Sequence, residues 1–298
     1  MDAINNEFEN IFCNDFIFTM QASERFGSTS MSNLIKSDYI FFGGTNALTS
    51  NICRERYIGF SLKNLVYFKR LSLLGVGWWQ YQDKPNFFTR LFLKRALDSS
   101  ITHSVRDSYT KEKLASIGIR NVLNTSCPST WKLTQEHCSM IPISKSHSVL
   151  FTITDYNKKH NDDAAFIKLL QSSYSELFFW PQGEGDLKYF NDLDINNKSD
   201  VNIIPPNLKS LDDVLVNNEL DYIGTRLHAG IRALQFKKRS LILAIDNRSV
   251  EIAKDINLHL SPREDLKKIE FFIKNNIDTL IKIPNSEIQR WKNQFLDS

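Results

Sequence analysis

"LDYIGTRLHAGIRALQ", Leu220 to Gln235, runs from an apolar stretch through Gly224-Thr225-Arg226 into a helical pattern. Leu227, Ile231 and Leu234 recur at i, i+4 and i+7, which makes one core-facing helical stripe. His228 and Arg232 lie four apart on a neighbouring stripe, and Arg226 precedes the helix. A strand that turns directly into a helix is the repeating unit of a parallel α/β sheet. If the turn falls here, Arg226 and His228 can both face a ligand over the helix N-terminus, where N–H groups and the dipole favour anions. The plainer alternative is that Arg226 pairs with a buried carboxylate and His228 caps or packs. Spacing alone leaves both open.

The rest of the chain alternates in the same way. Apolar, β-rich runs appear at DYIFFGG, LSLLGVGWW, SSITHSV and NVLNTSC, separated by the helix-like PNFFTRLFLKRAL and SYTKEKLASIG. From Ser148 a second series begins: SVLFTITD, DDAAFIKLLQSSY, ELFFWPQ, VNIIPPN, LKSLDDVLVNN, then the opening stretch, RSLILAID and SVEIAKDINL. Near-continuous apolar strands between helices predict parallel sheets covered on both faces. The expected architecture is therefore two α/β halves, 1–135 and 148–298, with the weakly periodic Lys132–His147 as linker. The closing SEIQRWKNQFL is expected to be a tail helix across a domain boundary.

Composition narrows the partners. The 298 residues carry 37 basic and 34 acidic side chains, a formal charge of +3, too balanced for a nucleic-acid face. A small anion needs only a few local arginines. Cys13, Cys53, Cys127 and Cys138 form no CxxC pair or metal-ligand spacing and read as thiols of a reducing compartment. MDAINNEFEN lacks the basic-then-apolar order of a signal peptide, and no apolar run approaches membrane-spanning length. A cytoplasmic protein with at most peripheral membrane contact is expected.

In open α/β sheets, ligands gather at the carboxyl ends of strands. Gly43, Gly44, Thr45 and Asn46, read as the loop after DYIFF, would let backbone approach a ligand or simply make a turn. Trp78 and Trp79 could stack a sugar or fill the core. Arg106 falls at a strand end, with Asp107 or Ser108 as helix cap. Arg248 stands between a strand and a helix, set to hold an anion or to pair with Glu251. Asp192-Leu193-Asp194 matches a DxD metal motif but lies in an Asn/Asp-rich tract where it arises by chance. The scattered histidines support no metal site, and there is no P-loop, dinucleotide fingerprint or nucleophile elbow.

SVRDSYTKEKLASIGI, a strand ending near Cys127-Pro128, DYIGTRLHAGIRALQ and RSLILAIDNRSVEIAKDINL together resemble the polysaccharide pyruvyl transferase family. Arg226-Leu227-His228 after a strand is the most specific element; Val105-Arg106-Asp107 and Gly43-Gly44 match weaker ones. The likeness runs from about Asp38 to about Leu258. The family's usual opening is not matched in INNEFENIFCNDF, and Ser126-Cys127-Pro128 stands where members commonly have Gly-Asp-Pro.

The resemblance implies two Rossmann-like domains facing across a cleft, as in GT-B glycosyltransferases. Gly43, Gly44, Arg226 and His228 are expected to reach that cleft. It implies transfer of the enolpyruvyl group of phosphoenolpyruvate onto two hydroxyls of a sugar acceptor, lipid-linked or free. The products are a cyclic ketal and phosphate, and no cofactor is needed. Arg226, Arg106, Arg232, Arg248, Gly43, Gly44 and Thr45 are the expected donor contacts, and Asn46, Trp78 and Trp79 the acceptor contacts. A donor with phosphate and carboxylate suits planar arginine forks, and histidine can supply or accept the proton. Arg226 and His228 are thus the expected catalytic pair. Two rivals remain: a GT-B glycosyltransferase using a nucleotide sugar, and a non-catalytic sugar- or phosphate-binding scaffold.

Overall fold

The computed structural model describes residues 27–55 and 71–296, together with Ile11, Ile17 and Thr19. Cys13 and all of INNEFENIFCNDF except Ile11 lie outside the described residues. The chain forms two compact units, Met1–Trp131 with Ile283–Ser298, and Lys132–Lys282.

The first unit begins with α1 (Ser28–Lys36), β1 (Ile40–Leu48), β2 (Leu71–Trp78), α2 (Phe87–Ala96), β3 (His103–Val105), α3 (Ser108–Ser116) and β4 (Val122–Asn124). Its four strands lie in the order β1-β2-β3-β4, all parallel. All eight residues of β2 are buried, as a strand covered on both faces requires.

The second unit holds α4 (Gln135–Ser139), β5 (Ser148–Thr152), α5 (His160–Ser173), β6 (Glu176–Phe179), α6 (Glu184–Asp192), β7 (Val201–Ile203) and α7 (Leu208–Asn217). It continues with β8 (Leu220–Gly224), α8 (Leu227–Gln235), β9 (Ser240–Ala244), α9 (Asn247–Ile256), β10 (Leu260–Pro262) and α10 (Leu266–Lys274). The parallel sheet runs β10-β9-β8-β5-β6-β7. The order reverses between β5 and β8, the doubly wound Rossmann arrangement. Val149, Phe151, Phe179 and Ile223 form its core with Phe166 and Phe190 of the covering helices.

The boundary differs from the expected one in two ways. The stretch from Lys132 belongs to the second unit, where α4 lies in it and the His137 ring meets the Leu234 carbonyl at 2.8 Å. The tail helix α11 (Asn285–Asn293) belongs to the first unit. Its Ile288 and Trp291, with Phe295 beyond, pack on Leu74, Leu123 and Trp131, and the Gln294 side chain clasps the Thr102 backbone through N–H and C=O.

His103, in β3, is fully buried, and burial pushes its pKa down to about 4 from 6.5. Below pH 6.5 the unfolded chain takes up a proton that the folded chain refuses, so stability falls with acid and is complete above 6.5. Between pH 7 and pH 5 this group alone should cost about 2 kcal/mol. Denaturant unfolding at both pH values should show His103→Gln losing that much of the slope. An unchanged slope would assign the acid sensitivity to other groups.

Candidate functional site

The parallel strands of the second unit share one carboxyl edge, and the switch between β5 and β8 lies at its centre. Gly224 ends β8 with no room for a side chain: a Cβ there would lie 2.3 Å from Thr152 Oγ1. Thr152 Oγ1 accepts from the Arg226 N–H at 3.1 Å, and the Tyr222 hydroxyl donates to the Arg226 carbonyl at 2.8 Å. Tyr222 thereby spends its proton on Arg226, so Thr152 is the donor in the 2.7 Å contact between the two hydroxyls. This buried set fixes Arg226 as the residue that caps α8, with extended backbone, and places His228, itself exposed, in an otherwise buried first turn.

The Arg226 side chain is held by carboxylates. Its Nη2 lies 2.6 Å from both oxygens of Asp186 and 3.7 Å from Asp155 Oδ1, and the guanidinium stands 5.1 Å from the Tyr156 ring centre. Asp186, in the first turn of α6 and 1% exposed, also accepts from the backbone N–H groups of Asp155 and Gln182, each at 3.0 Å. Gly185 makes the arrangement possible, since a Cβ there would meet Asp155 Oδ2 at 2.0 Å. The plainer reading of Arg226, a partner to a buried carboxylate, is thus correct for one end of the guanidinium. The adjacent Nε–H differs: it is buried and has no hydrogen-bond partner among the described residues.

Besides Arg248 Nε past β9 and Arg263 Nε past β10, two groups next to the switch share that condition. Thr154 Oγ1, just past β5, and Trp180 Nε1, just past β6, are buried without a partner among the described residues. All three can donate, and they follow three neighbouring strands, β6, β5 and β8. A buried donor left unpaired costs about 1–3 kcal/mol, so each of these groups calls for an acceptor oxygen.

The remaining expected contacts fall differently. Arg232 sits in the last turn of α8, away from its N-terminus, and is gripped by Asp212 through Nε at 2.8 Å and Nη2 at 2.6 Å. Arg248 does lie past β9 in the first turn of α9, but its Nη2 pairs with Asp246 at 3.0 Å rather than with Glu251. Arg106 is 2% exposed and packs over Gly77, where a Cβ would come 2.2 Å from its Nη2. Gly75 likewise makes way for the Pro128 ring, so the two glycines of GVGWW serve packing. Gly43, Gly44, Thr45 and Asn46 are inside β1: Gly43 pairs with Leu74, Thr45 with Val76, and an extra residue bulges before Leu48. Gly44 has φ +28°, so its missing side chain answers a backbone demand. Trp78 is core, 1% exposed, with Nε1 bonded to Gln82. Trp79 is half-buried beside it, its N–H bonded to the Leu48 carbonyl. Asp192 and Asp194 flank the C-terminal end of α6, at the opposite edge of the sheet from Asp186.

At the carboxyl edge of the first unit lies an open cavity of about 680 Å³ lined by Ser50, Glu55, Tyr81, Gln82, Asn86 and Tyr109, among others. Gln82 organises it, accepting from Trp78 Nε1 and the Ser50 N–H while its amide donates to Glu55 at 2.7 Å. Tyr81, 57% exposed, meets Tyr109 edge to face. Sequence reasoning passed over Tyr81 and Gln82 for the neighbouring tryptophans, although both follow directly from β2.

The sequence profile described as polysaccharide pyruvyl transferase matches residues 2–247. The chain belongs to this family. Members are transferases, and the family's description names a polysaccharide acceptor. No curated protein matches the chain. Among solved structures it is similar to Methanocaldococcus jannaschii UDP-GlcNAc 2-epimerase in complex with UDP-GlcNAc and UDP, with 10% identity and a TM-score of 0.56. That match covers 98% of this chain and 87% of the epimerase. It is also similar to S. aureus MnaA bound to UDP, with 13% identity, a TM-score of 0.52, and 92% and 80% of the two chains covered. At these identities the likeness concerns fold: an α/β protein with two Rossmann-like units, GT-B-like in architecture.

Ser126 gives the family comparison a physical reading. It has φ +60°, the left-handed region that glycine enters without strain, so the pyruvyl transferase pattern Gly-Asp-Pro fits this backbone as well as Ser126-Cys127-Pro128 does.

Proposed function

We propose that this member of the family transfers the enolpyruvyl group of phosphoenolpyruvate onto two hydroxyls of a sugar in a surface polysaccharide or its precursor. The observation that carries the donor side is the trio of unpaired buried donors, Thr154 Oγ1, Trp180 Nε1 and Arg226 Nε, beside the topological switch. A ligand bearing a carboxylate and a phosphate supplies the oxygens they need. Asp186 orients the guanidinium by Nη2 and leaves its Nε–H to the anion. Asp155 is the looser partner at 3.7 Å and 40% exposed, so it is the carboxylate that can swing away when an anion arrives. The α8 N-terminus adds favourable dipole.

His228, exposed at that terminus, protonates the terminal methylene carbon of the donor and makes it a methyl group. The positive charge then develops at the adjacent carbon. One sugar hydroxyl adds there, phosphate departs with the electron pair of its C–O bond, and the second hydroxyl closes the ketal as both hydroxyl protons are lost. The cavity beside Tyr81, Gln82 and Glu55 supports the acceptor reading, since it offers an aromatic face and polar groups to a sugar, lipid-linked or free. The chemistry requires no cofactor. Thiols at Cys53 and Cys138 fit a cytoplasmic setting, where phosphoenolpyruvate is available.

Nucleotide-sugar transfer is the competing reaction, because both solved relatives named above hold UDP. Purified protein incubated with an acceptor saccharide and either phosphoenolpyruvate or a UDP-sugar distinguishes the two. Acceptor-dependent phosphate release is expected; UDP release without phosphate release would overturn the proposal.

A further inference from the structure

We infer that the outer face of α2 docks the protein on an anionic phospholipid surface. Phe87, Phe88 and Leu91 are 70%, 66% and 58% exposed, yet they form one patch: Leu91 stands one turn beyond both phenylalanines, whose rings meet edge to face at 5.9 Å. Scattered exposed apolar residues are ordinary in proteins; three large ones within the first turns of one helix, two of them in ring contact, are not.

The helix cannot turn to hide them. Thr89, Phe92, Leu93 and Ala96 are buried on its opposite side. Asn86 caps it by accepting from the Thr89 N–H at 2.8 Å, and the Thr89 hydroxyl accepts from the Ile52 N–H at 3.0 Å.

Charge identifies the occupant. From Lys84 to Leu97 the chain carries four basic residues, Lys84, Arg90, Lys94 and Arg95, and no acidic one. All four are exposed. Aromatic and aliphatic side chains ringed by cations are the composition that inserts into the headgroup boundary of anionic lipid. A second copy fits worse, because a two-fold contact here sets this positive ring against its own image. No helix among the described residues is long and apolar enough to cross a membrane, so the contact is with the surface. The patch adjoins the cavity of the first unit, since Asn86 both caps α2 and lines it.

The test is co-sedimentation of the full chain with vesicles of phosphatidylcholine alone, or of two parts phosphatidylcholine to one part phosphatidylglycerol. Wild type should sediment with the anionic vesicles and much less with the neutral ones. Phe87→Ser/Phe88→Ser should weaken the partition by about tenfold or more at unchanged melting temperature. Arg90→Ser/Arg95→Ser should remove most of the preference for phosphatidylglycerol. If the double serine variant is misfolded, Leu91→Glu at a single exposed position replaces it. Wild type remaining in solution with both vesicles, or apolar variants that bind as wild type does, overturns the inference. So does light scattering that shows a dimer which the serine variant splits, since a second copy then covers the face.

Discussion

Replacing His228 with alanine is expected to slow the chemical step by about 10²–10⁴-fold, the range general acid–base catalysis supplies. Donor affinity should change far less, because in the proposed reaction Arg226, Thr154, Trp180 and the α8 N-terminus are the groups that would hold the anion. Stability should change little too, since the side chain is exposed in the first helical turn. The three quantities are separable in one preparation: single-turnover rate, phosphoenolpyruvate affinity by calorimetry, and melting temperature. A destabilised variant with intact single-turnover rate would assign His228 to helix capping and remove it from the chemistry.

The second large effect belongs to Asp186. Its carboxylate is 1% exposed and receives Arg226 Nη2 together with two backbone N–H groups, from Asp155 and Gln182. Asp186→Ala leaves a largely buried guanidinium without its main counter-charge, and breaking such a pair costs about 3–5 kcal/mol. Denaturant unfolding should register that loss. Asp186→Asn keeps an acceptor oxygen and should lose less stability, yet a guanidinium no longer held by charge should bind phosphoenolpyruvate more weakly. An Asn variant of wild-type donor affinity would mean that orienting Arg226 is not what Asp186 does for binding.

The corner at Gly224-Thr225-Arg226 was legible because its signals are local: an apolar run, a glycine stop and a helical stripe within sixteen residues. Where the outcome depended on distant partners, local reading failed. Asp155 and Asp186 reach Arg226 from 71 and 40 residues away, and only the glycine of Gly-Glu-Gly-Asp hinted that something must come close. Arg106 read as a strand-end arginine because nothing nearby in sequence shows that Gly77 clears a buried berth for it. Gly43-Gly44 read as a loop because glycines usually end strands, whereas here a parallel partner carries the strand through them to Leu48. Trp78 is the last residue of β2, a strand covered on both faces, whereas Trp79 lies just past its end and is half-buried.

The return of the chain to its first unit bears on how the protein is made. Ile288, Trp291, which is fully buried, and Phe295 complete a cluster whose other buried members, Leu74, Leu123 and Trp131, are synthesised more than 150 residues earlier. During translation the amino-terminal unit therefore waits with an apolar face uncovered while the whole second unit emerges and folds. Residues 132–282 are continuous in sequence and can close as soon as they leave the ribosome; the unit that begins first finishes last. A chain truncated after residue 282 should then display a protease-resistant second unit joined to a first unit still open to cleavage.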